Sequence, residues 1–137
     1  MRSKAIPDTS FLIEHFRVGN VQQVFLNVNH SYKIVFSSVV LMQLFSGAYD
    51  KKDRRLVEHR RDNFEVIIPP ENSWYKAGDI LMRLRRDKKL DPIKVKSLLA
   101  DVLIALSVRS IGALLITKNE RDFRLIREVI DFKYIAV

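Results

Sequence analysis

Asp101 lies inside the most apolar helical stretch of the chain, Ser97-Leu98-Leu99-Ala100-Asp101-Val102-Leu103-Ile104-Ala105-Leu106. A helix that is apolar on every face is a buried helix. The residues one helical turn away are Ser97, Leu98, Ile104 and Ala105, and none is cationic. An isolated carboxylate taken out of water is costly unless something pairs with it. Asp101 is therefore protonated, hydrogen-bonded from elsewhere in the chain, or turned toward a cleft that holds a metal ion. Asp8, Asn119 and Asp122 stand just beyond strand-like segments, and Gln43 sits on the helix after another. Closely spaced carboxylates repel until a cation neutralises them. A divalent cation does so, polarises a phosphoryl oxygen and lowers the pKa of a bound water. The chemistry in prospect is metal-assisted hydrolysis.

The elements that must carry these groups follow from periodicity and punctuation. Ala5-Ile6-Pro7 reads as a short strand, followed by a helix with Phe11, Leu12, Ile13 and Phe16 that Gly19-Asn20 stops. Val21 to Leu26 reads as a second short helix, Lys33 to Phe36 as a strand, and Val39 to Phe45 as a helix capped by Ser37-Ser38 and stopped near Gly47. A charged helix from Lys51 to Arg61 leads to the strand Phe64–Ile68, closed by Pro69-Pro70. An amphipathic helix spans Glu71 to Lys88, with Trp74, Ala77, Ile80, Leu81 and Leu84 facing the core. Asp91-Pro92 turns the chain into the helix of Asp101, which Gly112 ends. Ala113-Leu114-Leu115-Ile116 is an uninterrupted apolar run, as in a strand buried on both faces. A last helix, Asn119 to Glu128, precedes the strand Tyr134–Val137. Strands alternating with helices predict an α/β fold, a three-layer α/β/α sandwich with a mainly parallel central sheet. Ligands of such sheets bind at the carboxyl ends of the strands, where Asp8, Thr117, Asn119 and Asp122 lie.

Composition narrows the function. The 137 residues fit one domain over 1–137, and 47% are hydrophobic. There is no cysteine, which excludes disulfides and thiolate metal sites and suits a reducing cytoplasm, where we place the protein. Met1-Arg2-Ser3-Lys4 leads straight into a strand with no signal peptide, and no apolar run is long enough to span a membrane. His15, His30 and His59 are dispersed, so neither a zinc site nor a catalytic triad is indicated. Glycine-rich phosphate loops are absent. A phospho-receiver domain needs an aspartate ending the middle strand, and the segment there is Ile67-Ile68-Pro69-Pro70. With 24 Lys and Arg against 16 Asp and Glu, the net charge of +8 suits a polyanionic partner.

Four segments, in this order and spacing, resemble the PIN-domain family of metal-dependent ribonucleases, especially VapC-like toxins. They are Ile6-Pro7-Asp8-Thr9-Ser10-Phe11-Leu12-Ile13, Ser37 to Gly47, Leu99-Ala100-Asp101-Val102-Leu103-Ile104-Ala105, and Leu115 to Phe123. The resemblance covers essentially the whole chain. It implies that Asp8 and Asp101 are the primary carboxylates for Mg²⁺ or Mn²⁺ and that Asn119 and Asp122 complete the site. It further implies that Thr9 and Thr117 orient carboxylates or contact phosphate. An RNA substrate, a homodimer and inhibition by a small VapB-like antitoxin follow from the same resemblance.

The departure is Gln43, where the family usually has glutamate. An amide keeps the size and an acceptor oxygen but removes a negative charge on which hard-ion binding depends. Weaker metal binding and reduced or abolished hydrolysis are expected, with one ion rather than two. Architectural roles stay open beside these: Asp8 or Thr9 fits a helix cap, Thr117 with Glu120 fits a capping box, Asn119 fits a cap, and Asp122 complements a helix dipole. Two basic groups, one of Lys51, Lys52, Arg54, Arg55, Arg60 and Arg61, the other of Arg83, Arg85, Arg86, Lys88, Lys89, Lys94 and Lys96, are either RNA-binding or solvated faces. Trp74 is assigned to the core in preference to base stacking, and a non-catalytic RNA- or protein-binding PIN fold is the alternative function.

Overall fold

The computed structural model describes residues 2–18 and 22–137. In chain order the elements are β1 (Lys4–Pro7), α1 (Thr9–Ile13), a π-helical segment (Glu14–Val18), α2 (Gln22–Ser31), β2 (Lys33–Ile34), β3 (Phe36–Ser37), α3 (Ser38–Ser46) and α4 (Lys51–Asn63). They continue with β4 (Val66–Ile67), α5 (Glu71–Asp87), α6 (Pro92–Ser97), α7 (Leu99–Ser110), β5 (Leu114–Thr117), α8 (Glu120–Arg127) and β6 (Lys133–Ala136). All strand pairs among the described residues are parallel. Eight α-helices among the described residues flank them, in the expected α/β/α layering. No described helix is long and apolar enough to cross a membrane.

The main sheet has the order β2-β1-β5-β6, with Ile6 opposite Leu115 and Leu115 opposite Tyr134. The expected strand Lys33–Phe36 changes partners midway. Val35 N–H donates to the Ala5 carbonyl, whereas Phe36 N–H donates to Glu65, so β2 lies on β1 and β3 on β4. The predicted strand Phe64–Ile68 is correspondingly only two residues long, since it pairs only with β3. The chain runs outward from β1 to one side and then crosses to β5 on the other. β1 and β5 therefore flank the point where strand order reverses, the place at which such sheets bind ligands.

Burial explains the helices. α7 buries Val102 through Val108 continuously, and Phe11, Phe36, Leu84, Ile104, Phe123 and Ile126 are almost wholly buried around it and the sheet. Gly112, at φ +61°, closes α7, and the next N–H, of Ala113, donates back to Val108, which requires a residue at ease with positive φ.

Several expectations need correction. The core stripe of α5 is Ser73, Ala77, Ile80 and Leu84; Trp74 is 53% exposed and Leu81 only partly buried. The four buried positions recur at three- and four-residue steps, and the indole falls just outside that stripe. The helix before Gly112 is two helices, because the Ser97 hydroxyl takes the Lys94 carbonyl and Leu98 N–H drops back to Val95. The second helix begins at Gln22 and runs on to Ser31. The proposed stop at Gly19-Asn20, and Val21, lie outside the described residues.

Candidate active site

Asp8 ends β1 and is 3% exposed. Its backbone N–H donates to the Ile116 carbonyl, so the β1–β5 pairing fixes the residue itself. As the N-cap of α1, its Oδ1 accepts from Phe11 N–H at 3.0 Å and from the Ser10 hydroxyl at 2.7 Å. Its Oδ2 accepts from the Thr117 hydroxyl at 2.6 Å. Capping and site geometry are thus served by the same side chain. Burial raises the Asp8 pKa, against the lowering effect of these bonds from Thr117, Phe11 and Ser10.

Thr117 links this carboxylate to the loop beyond β5. Its fully buried Oγ1 accepts from Asn119 N–H at 2.8 Å while its hydroxyl donates to Asp8. The expected capping box with Glu120 is therefore not what Thr117 forms, and Asn119 occupies the N-cap of α8 without a side-chain cap bond. Instead Asn119 Nδ2 donates to Asp122 Oδ2 at 3.2 Å. The other oxygen of Asp122 accepts from Lys94 Nζ at 2.8 Å. Burial pushes Asp122 upward, but the hydrogen bonds from Lys94 and Asn119, with the charges of Lys94 and Arg121, together hold it below its ordinary value.

Asp101, in the first turn of α7, is partly rather than wholly buried. Its carboxyl is pushed up from 3.8 to about 7, first by burial and then by the charges of Asp8 and Asp122, with Lys94 acting in the opposite sense. The three aspartates thus share one electrostatic environment, though they come from β1, α7 and α8. Sequence placed no cation near Asp101; the fold supplies Lys94 from across the break at Leu98. Lys94, which belongs by sequence to a basic run open to either RNA binding or solvent, turns instead into the acidic cluster.

Gln43, on α3, reaches the same edge through Thr9, whose hydroxyl donates to Gln43 Oε1. Beyond Gln43 opens a cavity of about 290 Å³ lined in part by Ile13, Phe16, Leu44, Leu56 and Val57. The fold therefore brings Asp8, Thr9, Gln43, Asp101, Thr117, Asn119 and Asp122 to the carboxyl end of β1 and β5. Of the arginines on α5, Arg83 pairs with Asp79 and Arg86 with Asp87 on their own helix. On α4, Arg54 and Arg61 lie over the Phe45 ring and Arg60 over Phe16 and Phe64, so part of that basic face is packing. Ser10, by sequence a candidate cap of the first helix, supports Asp8 instead. Its hydroxyl donates to Asp8 and accepts from Lys118 N–H, and its signal was the Asp-x-Ser spacing at a helix start.

The donor set is made of hard oxygens, and Asp101 carries the like-charge repulsion that a cation relieves, so the residues suit Mg²⁺ or Mn²⁺ in chemistry. No group of three or more His, Asp or Glu among the described residues is arranged to hold a metal ion. With glutamine at 43 the acidic set is one carboxylate short, and Asp8 Oδ1 already accepts two hydrogen bonds.

No curated protein is significantly similar in sequence. Solved structures share the fold at low identity. A DNA-bound VapBC from Salmonella typhimurium superposes with a TM-score of 0.72 at 24% identity, covering 99% of this chain and 98% of that one. VapBC-1 from nontypeable Haemophilus influenzae gives 0.74 at 19%, covering 97% of each. VapBC2 from Rickettsia felis, bound to a DNA fragment from its promoter, gives 0.71 at 16%, covering 98% of each. The PIN-domain family model matches residues 5–129, and with the aspartates converging where strand order reverses, the chain belongs to the PIN-domain family.

Proposed function

We propose that the protein is a VapC-like toxin, a Mg²⁺- or Mn²⁺-dependent endoribonuclease whose activity is weakened by Gln43. The observation that carries this reading is the convergence of Asp8, Asp101 and Asp122, with Asp101 raised to about 7 by burial and by the other two charges. A bound ion would supply phosphoryl polarisation and a more acidic water. Asp8, Asp101 and Asp122 would hold it, with Asn119 Oδ1 available beside Asp122. Ser10, Phe11 N–H and Thr117 fix Asp8, and Thr117 couples it to the Asn119 loop. Exposed Lys51, Lys52 and Arg55 on α4 offer positive charge for an RNA backbone. The VapBC neighbours support a small VapB-like antitoxin as partner, and a homodimer and a cytoplasmic location complete the proposal.

Cleavage of a mixed RNA pool with Mg²⁺ and then Mn²⁺ tests the reading, using this chain, Gln43→Glu and Gln43→Glu/Asp101→Asn. The expected result is weak or no cleavage by this chain, cleavage by Gln43→Glu and none by the double variant. Cleavage that survives Asp101→Asn refutes the assigned site. A second reading, a PIN fold that binds RNA or protein without cutting, draws on the neutral Gln43 and on the lack of a completed three-acid group. RNA binding that is independent of metal, with no cleavage by any variant, favours it.

A further inference from the structure

We propose that Lys94 is a built-in counter-ion of the acidic cluster, competing with a divalent cation for Asp122 and so setting the metal concentration at which the site fills. The inference rests on the reading of the cluster as a metal site. Lys94 Nζ lies 2.8 Å from Asp122 Oδ1, and the two side chains are only 34% and 19% exposed. The other oxygen of Asp122 accepts from Asn119. Both oxygens therefore already face N–H donors, and an ion that binds Oδ1 competes with the ammonium there. A charge-assisted contact this short, and partly shielded from water, is stronger than a neutral hydrogen bond. Lys94 also opposes the charges that burden Asp101, so a single ammonium serves two of the three aspartates.

The position of Lys94 is built rather than incidental. Asp91 caps α6 by accepting from Lys94 N–H at 2.9 Å, and Ser97 takes the Lys94 carbonyl at 2.6 Å. The backbone of Lys94 is thus pinned at both ends of a single helical turn. Its four-carbon stem is flexible and its head retains contact with solvent, so the ammonium can leave when an ion enters. Together Gln43 and Lys94 make the cluster two charges less negative than one with glutamate at 43 and a neutral residue at 94.

Mn²⁺ titration by calorimetry, without RNA, on the full chain, Lys94→Gln and Lys94→Arg tests this, with circular dichroism to verify folding. Lys94→Gln is expected to bind Mn²⁺ on the order of tenfold more tightly, the fold-change commanded by one charge-assisted contact. Lys94→Arg keeps the charge and should stay near the parent. In EDTA the Tm of Lys94→Gln should fall below the parent's, and Mn²⁺ should restore it. Equal affinities in all three, with a Tm loss that Mn²⁺ does not recover, overturn the proposal and leave Lys94 as a tether between α6 and α8. Binding by none of the three overturns the metal-site reading itself, and the competition with it.

Discussion

Replacing Asp101 by asparagine should stabilise the metal-free protein, and by an amount that depends on pH. The folded-state value of about 7 lies above the ordinary 3.8, so the native protein holds this proton more tightly than the unfolded chain does. The contribution of this carboxyl to stability is then greatest below pH 4, falls as the pH rises from about 4 to about 7, and stays low above. A displacement of roughly three pKa units corresponds to about 4 kcal/mol once the carboxylate is fully ionised. Because Asp101 keeps some contact with water, we expect roughly 2–4 kcal/mol to be recovered by Asp101→Asn at pH 8. For a chain of this size that is a rise in Tm of roughly 6–12 °C. At pH 5 the carboxyl is protonated in the native state but largely ionised in the unfolded chain, and the advantage should shrink to roughly 0.8–1.5 kcal/mol. Urea unfolding at both pH values in EDTA measures the two differences. A variant no more stable than the parent at pH 8 would refute the claim that burial and the charges of Asp8 and Asp122 strain this carboxylate.

Thr117→Val removes the donor to Asp8 Oδ2 and the acceptor for Asn119 N–H inside a fully buried pocket, and should cost roughly 2–3 kcal/mol in urea unfolding. A loss under about 0.5 kcal/mol would mean that water or a rearranged loop replaces both bonds. Leu84→Ala should cost roughly 2–5 kcal/mol because the side chain is wholly buried. Trp74→Ala should cost under about 1 kcal/mol, since the indole stands outside the core stripe. The order of these two midpoints in thermal melts tests the reassignment of Trp74; the reverse order would contradict it.

The alternation of strands and helices was legible because each strand carries an apolar run and each helix a three- to four-residue stripe. Leu114 to Ile116 could be placed as a central strand on its own composition. The partner change between Ile34 and Phe36 could not, because it is decided by which neighbour, Ala5 or Glu65, offers a carbonyl, and that is a tertiary fact. The break at Leu98 turned on a serine hydroxyl capturing a carbonyl, a local competition that apolar periodicity conceals. Trp74 was misplaced because hydrophobicity weighed more than its angular offset from Ala77 and Leu84. Among the site residues, those beside strand ends could be found from a general rule of open sheets. Lys94 could not: it lies 28 residues from Asp122, and only the folded contact between the two side chains shows that a residue in a basic run serves acidic groups.

The bond from Thr117 to Asp8 spans 109 residues. Asp8 is made early on the ribosome, yet its carboxylate cannot be held as described until β5 has emerged and slotted in beside β1. Contacts of such long range form late, after the cost of closing the intervening chain has been met. Until β5 pairs with β1, the acidic cluster therefore lacks the bond from Thr117 that holds Asp8. A partly synthesised chain carries every aspartate up to Asp101 and still lacks the strand that would organise them. On the proposed reading as an RNA-cutting toxin, a growing chain that has not yet made β5 would lack the organised site that cutting requires.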